Sequence, residues 1–81
     1  MTQDEIRAVY LGELVKVAPD ISLDDIGDDD HLQDDLDLDS MDVLNFVTAL
    51  HAVLGVNIPE TDYPRIATLR QAEDYLGNAL A

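Results

Sequence analysis

The chain has 81 residues, 47% of them hydrophobic, and its 18 acidic residues outnumber four Lys and Arg residues to give a formal net charge of −14. This length allows one small core, so we expect a single domain over residues 1–81. The hydrophobic fraction argues against a disordered acidic tail. The acidity disfavours nucleic acid and anionic membranes as partners, because binding them requires basic groups, and it favours basic protein surfaces.

The sequence contains no cysteine, which excludes disulfides, thiolate metal sites and thiol nucleophiles. No apolar run approaches the roughly 18 residues of a membrane span, and no charged stretch followed by an apolar segment opens the chain. We therefore expect a soluble, unprocessed and monomeric protein of the reducing cytoplasm.

A first helix is predicted over residues 3–17. Thr2 and Glu5 form a capping box, in which each side chain bonds the backbone N–H of the other residue. Pro19 marks the end of the helix. The apolar positions recur at helical spacing and are Ile6, Val9, Tyr10, Leu14 and Val17.

Residues 19–38 show no long period and predict a loop, with a short turn near residues 23–26 and Gly27 in a left-handed or turn conformation. Eleven acidic residues lie between Asp20 and Asp42, a stretch without Lys or Arg. Aliphatic residues interrupt the acids every few positions, so we expect them to anchor the loop to the core. These anchors are Ile21, Leu23, Ile26, Leu32, Leu36 and Leu38.

The helical period returns over residues 40–54, and Gly55 stands where the helix should end. Its apolar stripe consists of Val43, Phe46, Val47, Leu50, Val53 and Leu54. Pro59 at a first-turn position and Pro64 as a stop leave room for a short third helix near residues 60–63.

A last helix begins at a second capping box, Thr68 with Gln71. It continues through apolar positions at Leu69, Ala72, Tyr75, Leu76 and Ala79 or Leu80. No segment predicts a strand. The expected fold is all-α: a small four-helix bundle of three main helices plus one short third helix, with a long loop between the first two helices.

The segment DDLDLDSMDVL, residues 34–44, gathers aspartates around Ser40. Calcium binding is one interpretation, but the EF-hand template fails. Counted from Asp28, its sixth position is Gln33 instead of glycine and its twelfth is Asp39 instead of glutamate. We therefore predict no dedicated metal site.

Hydrolysis by Ser40 with His51 is a second interpretation. The two residues fall on nearly the same helix face but are about 16 Å apart at about 1.5 Å per residue, far beyond hydrogen-bond reach. His31 lies in the loop, but no nucleophile motif surrounds Ser40. The sequence therefore predicts no catalytic residues and no enzyme, and both histidines are expected to be ordinary side chains.

Two further interpretations remain open for Ser40. The first is that Ser40 caps the helix, because serine is a preferred N-cap residue and Asp39 and Asp42 favour the positive end of a helix dipole. Alternatively, a serine in the first turn projects from the end of the bundle, where an enzyme can modify it. Free backbone N–H groups would favour an added phosphodiester, whereas the aspartates would oppose it. The high density of acidic residues is therefore better explained as a surface that a docking partner recognises.

The segment LDLDSMDVLNFVTALHAVLGVNIP, residues 36–59, resembles the central part of an acyl carrier protein. The family motif D-S-[LM]-[DE] is matched by Asp39, Ser40, Met41 and Asp42. The four-residue motif is weak alone, but the resemblance extends to chain length, helix spacing, acidity, the Ile58–Pro59 placement and the T-L that opens the last helix.

The resemblance implies that Ser40 receives 4′-phosphopantetheine from coenzyme A through a phosphopantetheinyl transferase, with Asp39 and Met41 as flanking motif residues. Such a carrier does no chemistry itself; it holds acyl intermediates as thioesters in fatty-acid, polyketide or related lipid biosynthesis. The thiol of the arm makes protein cysteines unnecessary. Other implied partners are acyl-loading and acyl-processing enzymes with basic docking surfaces. The residues expected to face them are Asp39, Met41, Asp42, Leu44, Asn45 and Thr48.

Two alternatives stay open: a peptidyl or D-alanyl carrier that uses the same serine, and a non-covalent acidic interaction module. One departure from the family pattern also bears on function. Typical bacterial fatty-acid carriers place several acids along the exposed side of the second helix, whereas this chain has Asn45, Thr48, His51 and Ala52 there. We therefore predict a specialised carrier with a restricted set of partners.

Overall fold

The computed structural model describes all 81 residues and contains three α-helices, two 3₁₀ helices and no strand. The α-helices are α1 (Gln3–Val17), α2 (Ser40–Leu54) and α3 (Leu69–Leu80). A first 3₁₀ helix spans Leu23–Asp25 and a second spans Glu60–Ile66. The all-α prediction is confirmed: three main helices and one short helix before the last, with a long loop after the first. None of the helices is long and apolar enough to cross a membrane.

The three α-helices surround one hydrophobic core, in which α1 contacts both α2 and α3. At its centre the rings of Tyr10 and Phe46 meet edge to face, with centroids 4.8 Å apart and an interplanar angle of 87°. The Tyr10 hydroxyl donates a hydrogen bond to the carbonyl of Ile66 at 2.9 Å. Burial raises the pKa of Tyr10, so this hydroxyl stays protonated and holds the end of the second 3₁₀ helix against α1.

Local signals set the bounds of α1 as predicted. The Thr2 hydroxyl accepts the N–H of Glu5 at 3.2 Å, and the Glu5 carboxylate accepts the N–H of Thr2 at 2.9 Å. The hydrogen bond that the backbone N–H of Thr2 donates to the carboxylate lowers the pKa of Glu5. The predicted capping box and the predicted range 3–17 are confirmed.

The long loop is anchored by fewer residues than the pattern suggested. Ile26, Leu32 and Leu38 are buried, but Leu23 is 50% exposed on the first 3₁₀ helix, so its prediction as an anchor is wrong. That helix has a single turn and buries none of its residues. The remaining two anchors, Ile21 and Leu36, are half-buried and pack against the core.

The sequence predicts a left-handed or turn conformation for Gly27, and the turn is found. The carbonyl of Gly27 accepts the N–H of Asp30 at 3.2 Å, and its φ is not positive. The loop residue with positive φ is Asp37, at 60°. Aspartate enters this region more easily than most residues, although it is less suited to it than glycine. Asp37 lets the chain turn back so that the N–H of Leu38 donates to the carbonyl of Leu32 at 2.9 Å.

Helix α2 has the predicted bounds, and it ends at Gly55 in the left-handed conformation with φ 69°. Its predicted apolar stripe is largely buried or half-buried, but Val53 is 53% exposed because no other segment covers it in the last turn. The prediction that Val53 contributes to the core is therefore wrong.

The second 3₁₀ helix is longer than the predicted range 60–63, because Pro64 does not stop it. Proline's fixed φ is compatible with 3₁₀ geometry, and the missing N–H is tolerated in so short a helix. Pro59 precedes the helix as its N-cap residue. At α3, the Thr68 hydroxyl accepts the N–H of Gln71 at 3.2 Å, but the Gln71 side chain bonds that hydroxyl instead of the backbone. The predicted second capping box is only half formed.

Two arginines tie the acidic loop to the helices. Arg7 of α1 pairs with Asp28 at 2.6 Å and with Glu73 of α3 at 3.0 Å. Arg70 of α3 pairs with Asp29 at 2.7 Å, and its backbone N–H donates to the carbonyl of Asp28 at 2.9 Å. The guanidinium of Arg70 lowers the pKa of Asp29. Part of the acidic loop therefore stabilises the fold and is not simply a solvated surface.

Candidate functional site

Ser40 is the first residue of α2 and does not cap it. The N-cap is Asp39, whose extended backbone (φ −86°, ψ 178°) precedes the helix and whose carboxylate accepts the N–H of Asp42 at 2.8 Å. The interpretation of Ser40 as the cap is therefore wrong by one residue. The Ser40 side chain is exposed and its hydroxyl forms no hydrogen bond to another residue. This leaves the hydroxyl free for chemistry performed by a partner.

A cleft of about 430 Å³ opens beside Ser40. It lies between the end of the long loop, the first turns of α2 and the second 3₁₀ helix. More than half of its residues are hydrophobic, and none is Lys or Arg. The lining residues are His31, Leu32, Gln33, Ser40, Met41, Val43, Leu44, Glu60, Tyr63, Pro64 and Ala67. An exposed hydroxyl therefore borders a groove suited to an apolar chain.

The residues predicted to face partners form one surface at the start of α2. Met41 is 62% exposed and Leu44 is 44% exposed, and both also line the cleft. Asn45 and Thr48 are exposed, and the Thr48 hydroxyl donates to the carbonyl of Leu44 at 2.9 Å. The remaining members are the exposed cap residue Asp39 and the half-buried Asp42. Further along α2 the exposed positions His51 and Ala52 carry no acid. We call these eight residues the α2 surface.

Neither histidine is hydrogen-bonded to Ser40. His51 lies at the far end of α2, and its Nδ1 is 2.9 Å from the carbonyl oxygen of Val56. His31 borders the same cleft as Ser40, but its Nδ1 accepts the backbone N–H groups of Gln33 at 3.1 Å and Asp34 at 3.3 Å. No Ser–His pair of the kind that activates a nucleophile is present.

The aspartates do not converge on a point. No group of three or more acidic or histidine side chains is arranged to hold a metal ion. Asp28 and Asp29 pair with arginines, and Asp39 bonds a backbone N–H. These carboxylates already bind arginines or a backbone N–H, so they do not form the set of oxygen ligands that a bound cation needs.

Sequence reasoning missed the far wall of the cleft. Tyr63, Pro64 and Ala67 come from the second 3₁₀ helix and the residue after it, more than 20 residues from Ser40 along the chain. The available signal was an aromatic residue beside a proline in a segment too short to form a core helix. That signal predicts packing but does not identify the surface that Tyr63 meets.

The family model "Phosphopantetheine attachment site" matches residues 9–76. The chain is 33% identical to the acyl carrier protein of Streptomyces coelicolor over 96% of this chain and 80% of that protein. It is 34% identical to the acyl carrier protein of Chlorobium luteolum over 94% and 96%, respectively. A solved structure of the acyl carrier protein from Enterococcus faecalis superposes with a TM-score of 0.75, at 31% identity and with 98% of this chain and 99% of that chain covered.

These matches span nearly the whole chain, including Ser40 and both walls of the cleft. They confirm the resemblance found in the sequence and imply a covalently attached 4′-phosphopantetheine as the cofactor. Each of these relatives is named as an acyl carrier protein. The chain belongs to the acyl carrier protein family.

Proposed function

We propose that Ser40 is the residue to which 4′-phosphopantetheine is attached, and that the chain carries acyl groups as thioesters on that arm. The observation that carries the proposal is the exposed, unbonded Ser40 hydroxyl at the first position of α2, beside the cleft. Asp39 and Met41 flank it as the family motif requires. Residues 1–81 would act as one carrier domain, and the cysteine-free sequence remains the basis for expecting a cytoplasmic protein.

The attachment is a balanced group transfer. Ser40 Oγ forms a bond to the phosphorus that bears the pantetheine portion of coenzyme A. The phosphoanhydride bond breaks, adenosine bisphosphate leaves, and a base of the transferase accepts the serine proton. The protein needs to supply only an accessible hydroxyl, because the transferase provides the catalytic groups.

The surroundings of Ser40 fit the arm. The carboxylate of Asp39 is turned toward the N–H of Asp42, so it is engaged in capping. The apolar cleft residues Met41, Val43 and Leu44 start beside Ser40 and offer a surface on which a hydrophobic acyl chain can lie. The arm supplies a thiol that forms the thioester, a group that the chain itself lacks.

An intact-mass spectrum of the protein expressed in a bacterium tests the carrier function. We expect a population heavier by one phosphopantetheine. A mass that matches the bare polypeptide, even after incubation with a transferase and coenzyme A, would favour a non-covalent interaction module. Loading then separates the cargo classes: an acyl-activating enzyme should charge the holo protein, whereas adenylating enzymes for amino acids should not.

We further propose that the carrier serves a restricted set of enzymes. Along the α2 surface only Asp39 and Asp42 are acidic, and Leu44, Asn45, Thr48 and the residues beyond are neutral or apolar. A partner enzyme whose basic docking face is matched to several acids on this helix would lose most of its attractive contacts with this chain. The transferase must therefore recognise mainly the first turn.

A gain-of-charge experiment tests this restriction. The double variant Asn45→Asp, Thr48→Glu adds two acids to the α2 surface, and a matched control places two acids, Asn78→Asp and Ala79→Glu, at exposed positions of α3. We expect the general acyltransferase and synthase of fatty-acid synthesis to process the double variant faster than the wild type, and the control unchanged. If these two enzymes processed the wild type as fast as they process their usual carrier, the proposed restricted set of partner enzymes would be refuted.

A further inference from the structure

His31 lies in the turn that forms one wall of the cleft beside Ser40. The side chain is 36% exposed, and its Nδ1 accepts the backbone N–H groups of Gln33 and Asp34. A ring nitrogen that accepts a hydrogen bond is unprotonated, so the neutral imidazole carries its proton on Nε2. The turn therefore selects the tautomer and leaves the Nε2–H as the free donor of the ring.

His31 is also the only cleft side chain that can carry positive charge, because no Lys or Arg lines the cleft. Its own turn brings Asp34, whose Oδ2 lies 3.9 Å from Nδ1, and Asp35, whose carboxylate accepts the backbone N–H of His31 at 2.7 Å. The second 3₁₀ helix brings Glu60 and Tyr63, and α2 brings only uncharged residues to the cleft. Every charged neighbour is thus an acid.

We propose that His31 is a positioning residue for the prosthetic arm, whose Nε2–H binds the phosphodiester on Ser40. This inference rests on the proposed attachment at Ser40. A phosphodiester is negatively charged and its free oxygens only accept hydrogen bonds. The surrounding carboxylates carry the same charge and no donor, so they cannot bind it. Because His31 and Ser40 line the same cleft, the Nε2–H of His31 would supply a donor there and restrain the first atoms of the arm toward the cleft.

The contact has a measurable consequence for the ring of His31. A hydrogen bond to an ionised acceptor is shorter and stronger than one to a neutral acceptor, so attachment of the arm should shift the NMR signals of this ring. The two hydrogen bonds that Nδ1 accepts from its turn stay in place, because the new contact uses Nε2.

Apo and holo protein, distinguished by intact mass, can be compared by NMR of the histidine ring signals at one fixed pH. His51 is the internal control, since its ring lies at the other end of α2 beside the carbonyl of Val56. We expect the ring signals of His31 to shift in the holo form and those of His51 to stay in place. Unchanged His31 signals in the holo protein would overturn the inference and leave the attachment intact. Failure to gain the mass of the arm would overturn the proposed function and this inference with it.

A variant gives a second readout. In His31→Asn the side-chain oxygen takes the place of Nδ1 and still accepts the N–H groups of the turn, but the Nε2–H is lost. The phosphorus NMR signal of the holo protein reports the contact at the phosphodiester. We expect this signal to move from its wild-type position in His31→Asn and to stay there in the control His51→Asn, with circular dichroism verifying that both variants fold. An unchanged phosphorus signal in His31→Asn would overturn the inference.

Discussion

The Asp39 carboxylate accepts a hydrogen bond from the backbone N–H of Asp42 at 2.8 Å. This bond satisfies a free N–H of the first turn of α2 and places negative charge at the positive end of the helix dipole. Ser40 follows as the first helical residue, with its hydroxyl unused. The division of roles explains how one residue can hold the helix start while its neighbour stays available for modification.

Asp39→Ala should lower the free energy of unfolding by about 1 kcal/mol, because it removes the cap. Asp39→Asn should cost less, since asparagine caps helices as well as aspartate does. Ser40→Ala should change the free energy by less than about 0.5 kcal/mol, because it breaks no hydrogen bond. Urea denaturation of the three variants measures these differences. A larger cost for Ser40→Ala than for Asp39→Ala would contradict the assignment of the cap.

Asp37 offers a stabilising substitution. A non-glycine residue in the left-handed region costs roughly 1–2 kcal/mol, and aspartate less than most. Asp37→Gly removes that strain and one charge from the acidic loop, so we expect it to raise the melting temperature. The matched control is Asp34→Gly, which removes the same charge where φ is not positive and should lower the melting temperature. If both variants respond alike, charge and not backbone conformation controls the loop.

Arg7 joins the loop to α3 through Asp28 and Glu73. Because both pairs are partly exposed, Arg7→Gln should lower the free energy of unfolding by only about 1 kcal/mol. Arg65→Gln is the control: it removes the same charge from an exposed position that forms no salt bridge and loses the contact of Arg65 with the Tyr75 ring. We expect a smaller loss for this control in the same urea series. Equal losses would mean that net charge, and not the link between segments, sets the effect.

Acid should weaken the pair between Asp29 and Arg70. The pKa of Asp29 is lowered in the folded state, so its contribution to stability is present above the unfolded pKa of about 4 and is lost as the pH falls through the folded value. The melting temperature of the wild type should therefore exceed that of Arg70→Gln near neutral pH, and the gap should narrow below pH of about 4. Thermal unfolding followed by circular dichroism checks this. A gap that stays constant with pH would contradict it.

Several features of the fold could be predicted because they depend on neighbours in the sequence. The capping box of Thr2 and Glu5 spans four residues, and Gly55 terminates α2 by its own conformational freedom. The N-cap of α2 was harder to predict, because Asp39 and Ser40 are neighbours and aspartate and serine are both good N-cap residues. Only the backbone conformation distinguishes them.

Other features depend on contacts between distant segments. Arg7 binds Glu73, which is 66 positions away in the sequence, and Tyr63 lines the cleft beside Ser40. Apolar periodicity places residues on a helix face, but it does not show which segment covers that face. For this reason Val53 was wrongly assigned to the core. The fold and the position of Ser40 at the start of α2 could be predicted, whereas the cleft and the role of the two arginines could not.

The attachment at Ser40 is tested most directly by intact mass after incubation with a phosphopantetheinyl transferase and coenzyme A. The chain contains one other serine, Ser22, which is exposed beside the first 3₁₀ helix and serves as the matched control. We expect the wild type and Ser22→Ala each to gain one phosphopantetheine, and Ser40→Ala to gain none. A mass gain that persists in Ser40→Ala would contradict the account.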